Sequence, residues 1–555
     1  VTESNSRTGG RILVDQLRRH GVDRAFAVPG ESYLAVIDAL YDTPEIALMI
    51  CRHEGAAAMM ADAYGKLTGR PGICLVTRGP GATNASAGIH IAYQDSTPVI
   101  LLIGQVARGI VDREAFQEID FRRMYGQLAK WVAQIDDARR IPEYLSRAFY
   151  TATSGRPGPV VLALPEDMLT DKVEVADAEP YQAVQTHPGG EQMTRLRDLL
   201  AVAKQPLVIL GGGGWTAGAC ADLQTFAEAN GLPVAVSFRC QDYFDNTHPN
   251  YAGHVGIGID PRLAQRVRDA DVLLVIGARL GEMTTSGYTL LDIPAPKQGL
   301  VHVYPGAEEL GRVYQPQLAI NASVSTFAAA ARGLAPLDAS AWRDWTSAAR
   351  ADYLAYLQPT RGPGEVELAE VVAWLKDNLP VDAIITNGAG NYTAWVHRFY
   401  QYRRYRSQLA PTSGSMGYGT PAAIAAKAQH RDRMVVCFAG DGCFLMTAQE
   451  LATAVQYGLN IIILVVNNGM YGTIRMHQER EYPGRVIATD LVNPDFAALA
   501  RAYGAYGERV ERTKDFPAAF ARAAAAARPA LLELPIDPEA ITPRATLGQI
   551  RSAGR

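Results

Sequence analysis

The chain alternates between two hydrophobic rhythms. Short unbroken apolar runs of four to eight residues are separated by longer stretches in which apolar positions return at helical spacing. Continuous Val/Ile/Leu runs of this length fit strands buried on both faces of a sheet. Three regions repeat the alternation. The first, 7–175, carries RAFAVP, ALMICR, GICLVTRG, PVILLIG and PVVLALP; between them, 55–68 puts Ala57, Met60, Ala61 and Tyr64 at helical spacing. The second, 192–333, carries PLVILGGGG, PVAVSF, VLLVIGA and LVHVY, and the third, 365–541, carries AIITNG, VVCFAGDG, IIILVVNN and ALLELPI. Strand–helix alternation implies parallel sheets with right-handed crossovers. The expected fold is α/β, with three doubly wound parallel-sheet domains. Two polar stretches with Pro and Gly, 177–191 and 357–365, read as linkers, and the Ala-rich stretch near 520 reads as a plain helix.

Bulk composition narrows the function classes. Among 555 residues, 53 Lys and Arg face 57 Asp and Glu, for a net charge of −4. That balance lacks the electrostatic footprint of a nucleic-acid binder. Six cysteines form no C-x-x-C pair and several sit in apolar runs, so reduced, buried thiols are expected rather than zinc or disulfide sites. The opening stretch VTESNSRTGGRILVDQL has no apolar core of signal-peptide type, and no apolar run approaches the roughly 20 residues that span a bilayer. The expectation is a cytoplasmic protein with neither nucleic-acid nor membrane partners. Glycine is frequent, at 51 residues, which points to tight turns and close backbone approach to a ligand.

The third region holds the most specific chemistry. Gly440-Asp441-Gly442 ends one apolar run, with a helix expected to start near Met446, and Asn467-Asn468 ends the next. Asp441 and Asn468 lie 27 residues apart, the length of one strand–helix–strand unit, so their strands are expected to be neighbours facing one crevice. Asp offers a carboxylate, Asn a neutral carbonyl, and the loop a backbone carbonyl. This is a donor set for Mg²⁺ completed by phosphate oxygens and water. Glycines beside Asp441 let backbone N–H groups approach a phosphate at a helix start.

G-D-G followed at this interval by N-N resembles the metal–diphosphate motif of thiamine diphosphate (ThDP) enzymes. The resemblance implies Mg²⁺ ligands at Asp441, Asn468 and the carbonyl of Met470, with Gly440, Gly442, Cys443, Tyr471 and Gly472 contacting the cofactor. SGSMGYGTPAAIAAK (413–427) resembles the segment under the pyrimidine–thiazolium junction. There Met416 would hold the cofactor bent and Gly414 would offer its carbonyl to the 4′-amino group. NGAGNYTAW (387–395) resembles the diphosphate end, implying contacts from Gly390, Asn391 and Tyr392.

In the first region, CRHEGAAAMMADAYGKLTGRPGICLVTRGPGATNA (51–85) resembles the pyrimidine-binding domain of the same enzymes. Glu54 opens a helix, where the dipole favours a carboxylate. By resemblance it hydrogen-bonds the pyrimidine N1′ and favours the imino tautomer that takes the C2 proton, so it acts through the cofactor. REAFQEID (113–120) resembles the segment supplying a Phe and a Gln to the active site, here Phe116 and Gln117, and VPGES (28–32) brings Gly30 to the reacting centre. His53 is left between a structural and a catalytic role. In these enzymes the Glu of one subunit meets the metal–diphosphate site of another, so a homodimer is the minimum unit and a tetramer is expected.

Nearly the whole chain is similar to the acetolactate synthase catalytic subunit and its relatives, which include pyruvate oxidase, benzaldehyde lyase and the oxalyl-CoA decarboxylase group. The implied activity is decarboxylation of a 2-keto acid such as pyruvate and transfer of the two-carbon unit to a second 2-keto acid or aldehyde. Two departures bear on the acceptor: His477 stands where the biosynthetic enzymes carry a Trp, and GARLGEM (277–283) keeps Arg279 but has Met283 in place of the final Arg. A C–C lyase acting on a 2-hydroxyacyl-CoA or a 2-hydroxy ketone, and an inactive nucleotide-binding homologue, stay as alternatives. FAD stays open. LGGGGWTAG (210–218) and Arg279 resemble a flavin-binding middle domain, but Gly126 and Gly281 stand where an Arg and an acidic residue are expected.

Overall fold

The computed structural model describes residues 6–554. The chain divides into two compact units. One runs up to Val184 and takes in Ile424–Gln429; the other comprises Gln185–Ala423 and the chain from His430 onward. Each apolar run identified in the sequence contributes a strand, buried in every case but the edge strand Ala47–Ile50, and the strands assemble into three six-stranded sheets in which every pairing is parallel. The three-domain α/β expectation therefore holds.

In the first unit the strand order across the sheet is Ala47–Ile50, Arg24–Ala27, Gly72–Val76, Val99–Gln105, Pro159–Pro165, Trp131–Gln134. In the second unit one sheet runs Tyr251–His254, Val234–Val236, Pro206–Leu210, Val272–Ile276, Gly299–Tyr304, Leu318–Asn321. The other runs Gln408–Leu409, Ile384–Asn387, Val435–Gly440, Ile462–Asn467, Ala530–Pro535, Tyr506–Arg509. Numbered within each sheet, the first and third share the order 2-1-3-4-6-5, and the central sheet has 3-2-1-4-5-6. Each order reverses direction beside its first strand, and ligands of open α/β sheets bind outside the strand ends at such a reversal.

Within these three sheets five strands escape the hydrophobic pattern: Trp131–Gln134, Tyr251–His254, Leu318–Asn321, Gln408–Leu409 and Tyr506–Arg509. All five are edge strands. An edge strand has a neighbour on one side only, so it can be short, carry polar residues and lack a continuous apolar run. Their polar or Gly-bearing sequences (WVAQ, YGER, YAGH) reflect that position.

Local capping explains the helix that matters most in the first unit. His53 Nδ1 accepts a hydrogen bond from the Gly55 N–H at 3.0 Å, so His53 caps the helix Glu54–Thr68. Gly69, at φ 75°, closes its other end. Twelve of its fifteen residues are buried, as expected for a helix that is apolar on nearly every face. Among the described residues no disulfide joins any of the six cysteines, and all but Cys220 are buried. Among the described residues, no helix is long and apolar enough to cross a membrane.

Candidate active site

At the reversal point of the third sheet, the loops that follow Ile384–Asn387 and Val435–Gly440 meet. Gly388 N donates to the Tyr392 hydroxyl at 3.1 Å, and that hydroxyl donates to Cys443 Sγ at 3.4 Å. Gly417 N also donates to Cys443 Sγ, at 3.2 Å, which fastens the 413–417 segment to the same point. A cavity of about 250 Å³ opens here. Its wall brings together Gly390, Asn391, Tyr392, Gly414, Met416, Gly440, Asp441, Gly442, Cys443, Asn468, Met470, Tyr471 and Gly472. These are all the cofactor-contact candidates that the sequence singled out in the third region.

One local expectation needs correction. The helix after the G-D-G turn starts at Asp441 (Asp441–Leu445), not near Met446, and a second helix, Glu450–Gln456, follows. Gly440 is the cap residue, and the Asp441 carboxylate lies in the first turn, with Oδ1 accepting from Gly442 N at 2.8 Å. A carboxylate there satisfies a helix N–H that has no partner within the helix, so the chain turns directly from strand to helix. The flanking glycines leave room for rings: a Cβ at Gly440 would lie 3.0 Å from the Tyr392 ring, and one at Gly442 would lie 2.7 Å from the Tyr471 ring.

Asp441 is buried, and burial pushes its carboxyl above the usual range against the opposing hydrogen bonds. Its Oδ2 accepts from Gly469 N at 2.9 Å and from Asn493 Nδ2 at 2.8 Å. The segment carrying Asn493 runs beside the Asn-Asn loop: Leu491 N donates to Gly469 O and Tyr471 N to Thr489 O, both at 2.8 Å. Asn391 bridges two further pieces, accepting from Thr473 Oγ1 at 2.9 Å and donating to Ile541 O at 3.1 Å. Asn493, Thr473 and Ile541 were not singled out from the sequence. Asn493 heads an Asn-Pro pair, which marks a turn, but nothing in its spacing ties it to Asp441.

The first unit gathers its own candidates at the reversal point of its sheet. Gly30 follows Arg24–Ala27 and Thr77 follows Gly72–Val76; a Cβ on Gly30 would lie 2.4 Å from Thr77 Cβ, so only glycine fits. Glu54 sits at the first position of its helix, with Oε2 accepting from Asn84 Nδ2 at 3.0 Å. Gln117, at φ 64°, lies against Gly79. Buried Arg78 donates to Phe116 O at 3.1 Å while its other nitrogens pair with Glu166 and Glu31, so the 116–117 turn is tied down although the Phe116 side chain is 71% exposed.

The first two glycines of the central-sheet cluster, Gly211 and Gly212, are packed, whereas Gly214 is exposed. A Cβ on Gly211 would lie 2.0 Å from Ser237 Oγ, and one on Gly212 would lie 1.8 Å from Gly277 O. Trp215 Nε1 donates to Gly211 O at 2.8 Å, and the Tyr243 hydroxyl donates to Gly212 O at 2.7 Å. Both aromatic side chains belong to this chain and occupy the polar atoms at the reversal point. Gly211 and Gly212 thus form a close-packed turn. Arg279 and Met283 are half-buried, His477 is exposed, and none of the three lines the cavity.

Comparison with known proteins agrees with this geometry. Residues 7–124 match the model of the N-terminal TPP binding domain of thiamine pyrophosphate enzymes, 193–331 the central domain and 388–534 the C-terminal TPP binding domain. The acetolactate synthase large subunit of Parasynechococcus marenigrum is 33% identical over 91% of this chain and 83% of its own length. The isozyme 2 large subunit of Escherichia coli K12 is 30% identical over 95% of both chains. The probable large subunit of Methanocaldococcus jannaschii is 31% identical over 96% of this chain and 93% of its own. Identity at this level along almost the full length, with each of the three domain models matched in order, makes this chain a thiamine pyrophosphate enzyme of the acetolactate synthase large-subunit family.

Proposed function

We propose that the protein is a ThDP- and Mg²⁺-dependent carboligase that decarboxylates a 2-keto acid, pyruvate being the first candidate, and joins the two-carbon unit to a second 2-keto acid or an aldehyde. The observation that carries the reading is the donor set of the 250 Å³ cavity: one buried carboxylate, Asp441, with the neutral oxygens of Asn468 and Met470 beside it. Oxygen donors with a single charge suit Mg²⁺ bridged to a diphosphate. Among the described residues no cluster of three His, Cys, Asp or Glu competes as a transition-metal site.

Asp441, Asn468 and the Met470 carbonyl would hold the metal. Gly390, Asn391, Gly440, Gly442, Cys443, Tyr471 and Gly472 would surround the diphosphate, with Gly414 and Met416 under the ring junction and Tyr392 bracing the turn. When bound, ThDP supplies a nucleophilic carbon and an electron sink for decarboxylation. Glu54 would hold a proton at the pyrimidine N1′, with its carboxylate directed by the hydrogen bond from Asn84. Gly30, Phe116 and Gln117 border the reacting centre. Met416, Met470, Ile474 and Ile541 give the cavity a largely apolar wall that limits water, which favours carbon–carbon bond formation over protonation.

A homodimer at least, and a tetramer as the fuller assembly, belongs to this reading. Ile474 on the cavity wall is 54% exposed and Ile487 is 74% exposed, apolar surface that a second copy would cover. A cytoplasmic location belongs to it as well. The decisive experiment incubates apo-protein with ThDP, Mg²⁺ and a panel of 2-keto acids, and follows CO₂ release and carbon–carbon products. Absence of both with every 2-keto acid, while ThDP and Mg²⁺ still raise the melting temperature, would remove the substrate assignment and keep the cofactor assignment.

A further inference from the structure

The Asp441 carboxylate is the end of a hydrogen-bonded chain that reaches the far edge of its sheet. Asn493 Nδ2 donates to Asp441 Oδ2 at 2.8 Å and to Asn467 Oδ1 at 2.9 Å. Asn467 Nδ2 donates to Glu533 Oε1 at 2.9 Å, and Arg509 Nη1 donates to that same oxygen at 3.2 Å. Glu533 is 1% exposed on the strand Ala530–Pro535, next to the edge strand Tyr506–Arg509 that carries Arg509.

The two carboxylates fix the polarity of the chain. An ionised carboxylate only accepts, so each amide beside one must turn its NH₂ toward it. Asn467 therefore turns its nitrogen to Glu533 and its oxygen to Asn493. Asn493 spends its two N–H groups on Asp441 and Asn467, and its own Oδ1 has no protein partner. The Gly469 N–H, at 2.9 Å from Asp441 Oδ2 and 3.1 Å from Asn467 Oδ1, closes the triangle. Asp441 Oδ2 thus receives the Gly469 and Asn493 donors, while Oδ1 receives the N–H of the adjacent Gly442.

From this geometry we infer that Asn493 is a positioning residue for the metal site. It holds Asp441 Oδ2 to the protein and leaves Oδ1 the less committed oxygen for Mg²⁺, and Asn467 and Glu533 fix its own orientation from behind. The inference rests on the proposed Mg²⁺–ThDP role of Asp441. Partners that orient a ligating carboxylate typically change metal affinity 10–100-fold when removed. Asn493 bonds to the metal-ligand candidate Asp441 and to Asn467, so its effect should appear in the metal rather than in ThDP chemistry.

The test is a Mg²⁺ titration at fixed saturating ThDP, read by cofactor-induced thermal shift and by quenching of intrinsic fluorescence, on the full-length chain. For Asn493→Ala, and for Asn467→Ala, which removes the support from behind, the half-saturating Mg²⁺ concentration should rise about tenfold or more. Glu533→Gln keeps an oxygen for Asn467 and should shift it by only about threefold, an intermediate that general damage to the fold would not produce. If wild-type protein shows no Mg²⁺–ThDP response, the cofactor reading itself fails. If wild type responds and both Ala variants titrate like it, Asn493 has no positioning role. A fall in apo melting temperature with an unchanged Mg²⁺ midpoint would likewise overturn the inference and make the chain purely structural.

Discussion

Arg551 grips Glu479 with two parallel hydrogen bonds: Nε lies 2.8 Å from one carboxylate oxygen and Nη2 lies 2.8 Å from the other. Glu479 is fully buried on the helix Gly472–Glu481, whose first residues line the cavity, and Arg551 comes from the last helix, Leu547–Ala553. Arg475 and Gly484 N bind the same carboxylate. The C-terminal helix is therefore fastened to the element that forms one wall of the site.

Arg551→Ala should lower unfolding stability by about 1–2 kcal/mol, since charged hydrogen bonds are lost but Arg475 stays and Arg551 is partly in water. The Arg551 guanidinium, foremost among several donors, holds the Glu479 carboxyl down at about 2. A carboxylate depressed in the folded state stabilises fully above its unfolded value and loses that contribution as pH falls toward the folded one. The wild-type advantage over Arg551→Ala in urea midpoint should shrink between about pH 4.5 and pH 2. An equal difference at pH 7 and at the acid end of that window would contradict the pairing.

Glu54→Gln preserves the side-chain shape and an oxygen for Asn84 Nδ2, so folding should be untouched. Loss of the proton-holding group should reduce turnover about 10²–10⁴-fold. The check is CO₂ release from a 2-keto acid at saturating ThDP and Mg²⁺, with circular dichroism as the folding control. Wild-type turnover in the variant would refute the role assigned to Glu54.

Gly212 and Gly214 both have positive φ, at 73° and 80°, but a Cβ at Gly212 would meet Gly277 O at 1.8 Å whereas one at Gly214 meets nothing within 4 Å. Gly214→Ala should cost about 1 kcal/mol of backbone strain. Gly212→Ala adds overpacking of about 1–3 kcal/mol. Chemical denaturation distinguishes the two. Because Trp215 and Tyr243 take up the carbonyls of Gly211 and Gly212, the purified protein should lack a flavin absorbance band, and added FAD should not shift its melting temperature.

Three histidines of the second unit, His254, His302 and His397, are buried, and burial holds each one's pKa low, to about 4 for the first two and well below the usual imidazole value for His397. In the unfolded chain they protonate near 6.5. Unfolding then takes up protons between pH 6.5 and about 4, so these groups should lower stability as pH falls through that window. His397 Nε2 has no protein partner, so His397→Leu removes one titrating site without orphaning another polar atom, and the acid slope should flatten. An unchanged slope would show that His397 does not carry this dependence.

The sequence by itself determined the strands that are buried on both sides, because such strands must be continuously apolar whatever surrounds them. Ile462–Asn467 and Val99–Gln105 were legible for that reason. It also determined the residues whose chemistry is tied to a fixed local turn: Asp441 between glycines, Asn468 one strand later, and Glu54 at a helix start. Edge strands such as Tyr506–Arg509 were not legible, since their partners on a single side leave the sequence free to be polar. Nor could sequence place Asn493 beside Asp441, or Arg551 on Glu479, 52 and 72 residues apart. Those pairings depend on which loops the sheet order brings to the same strand ends. The packing of Gly211 and Gly212 was likewise decided in three dimensions, by Trp215 and Tyr243 taking up their carbonyls.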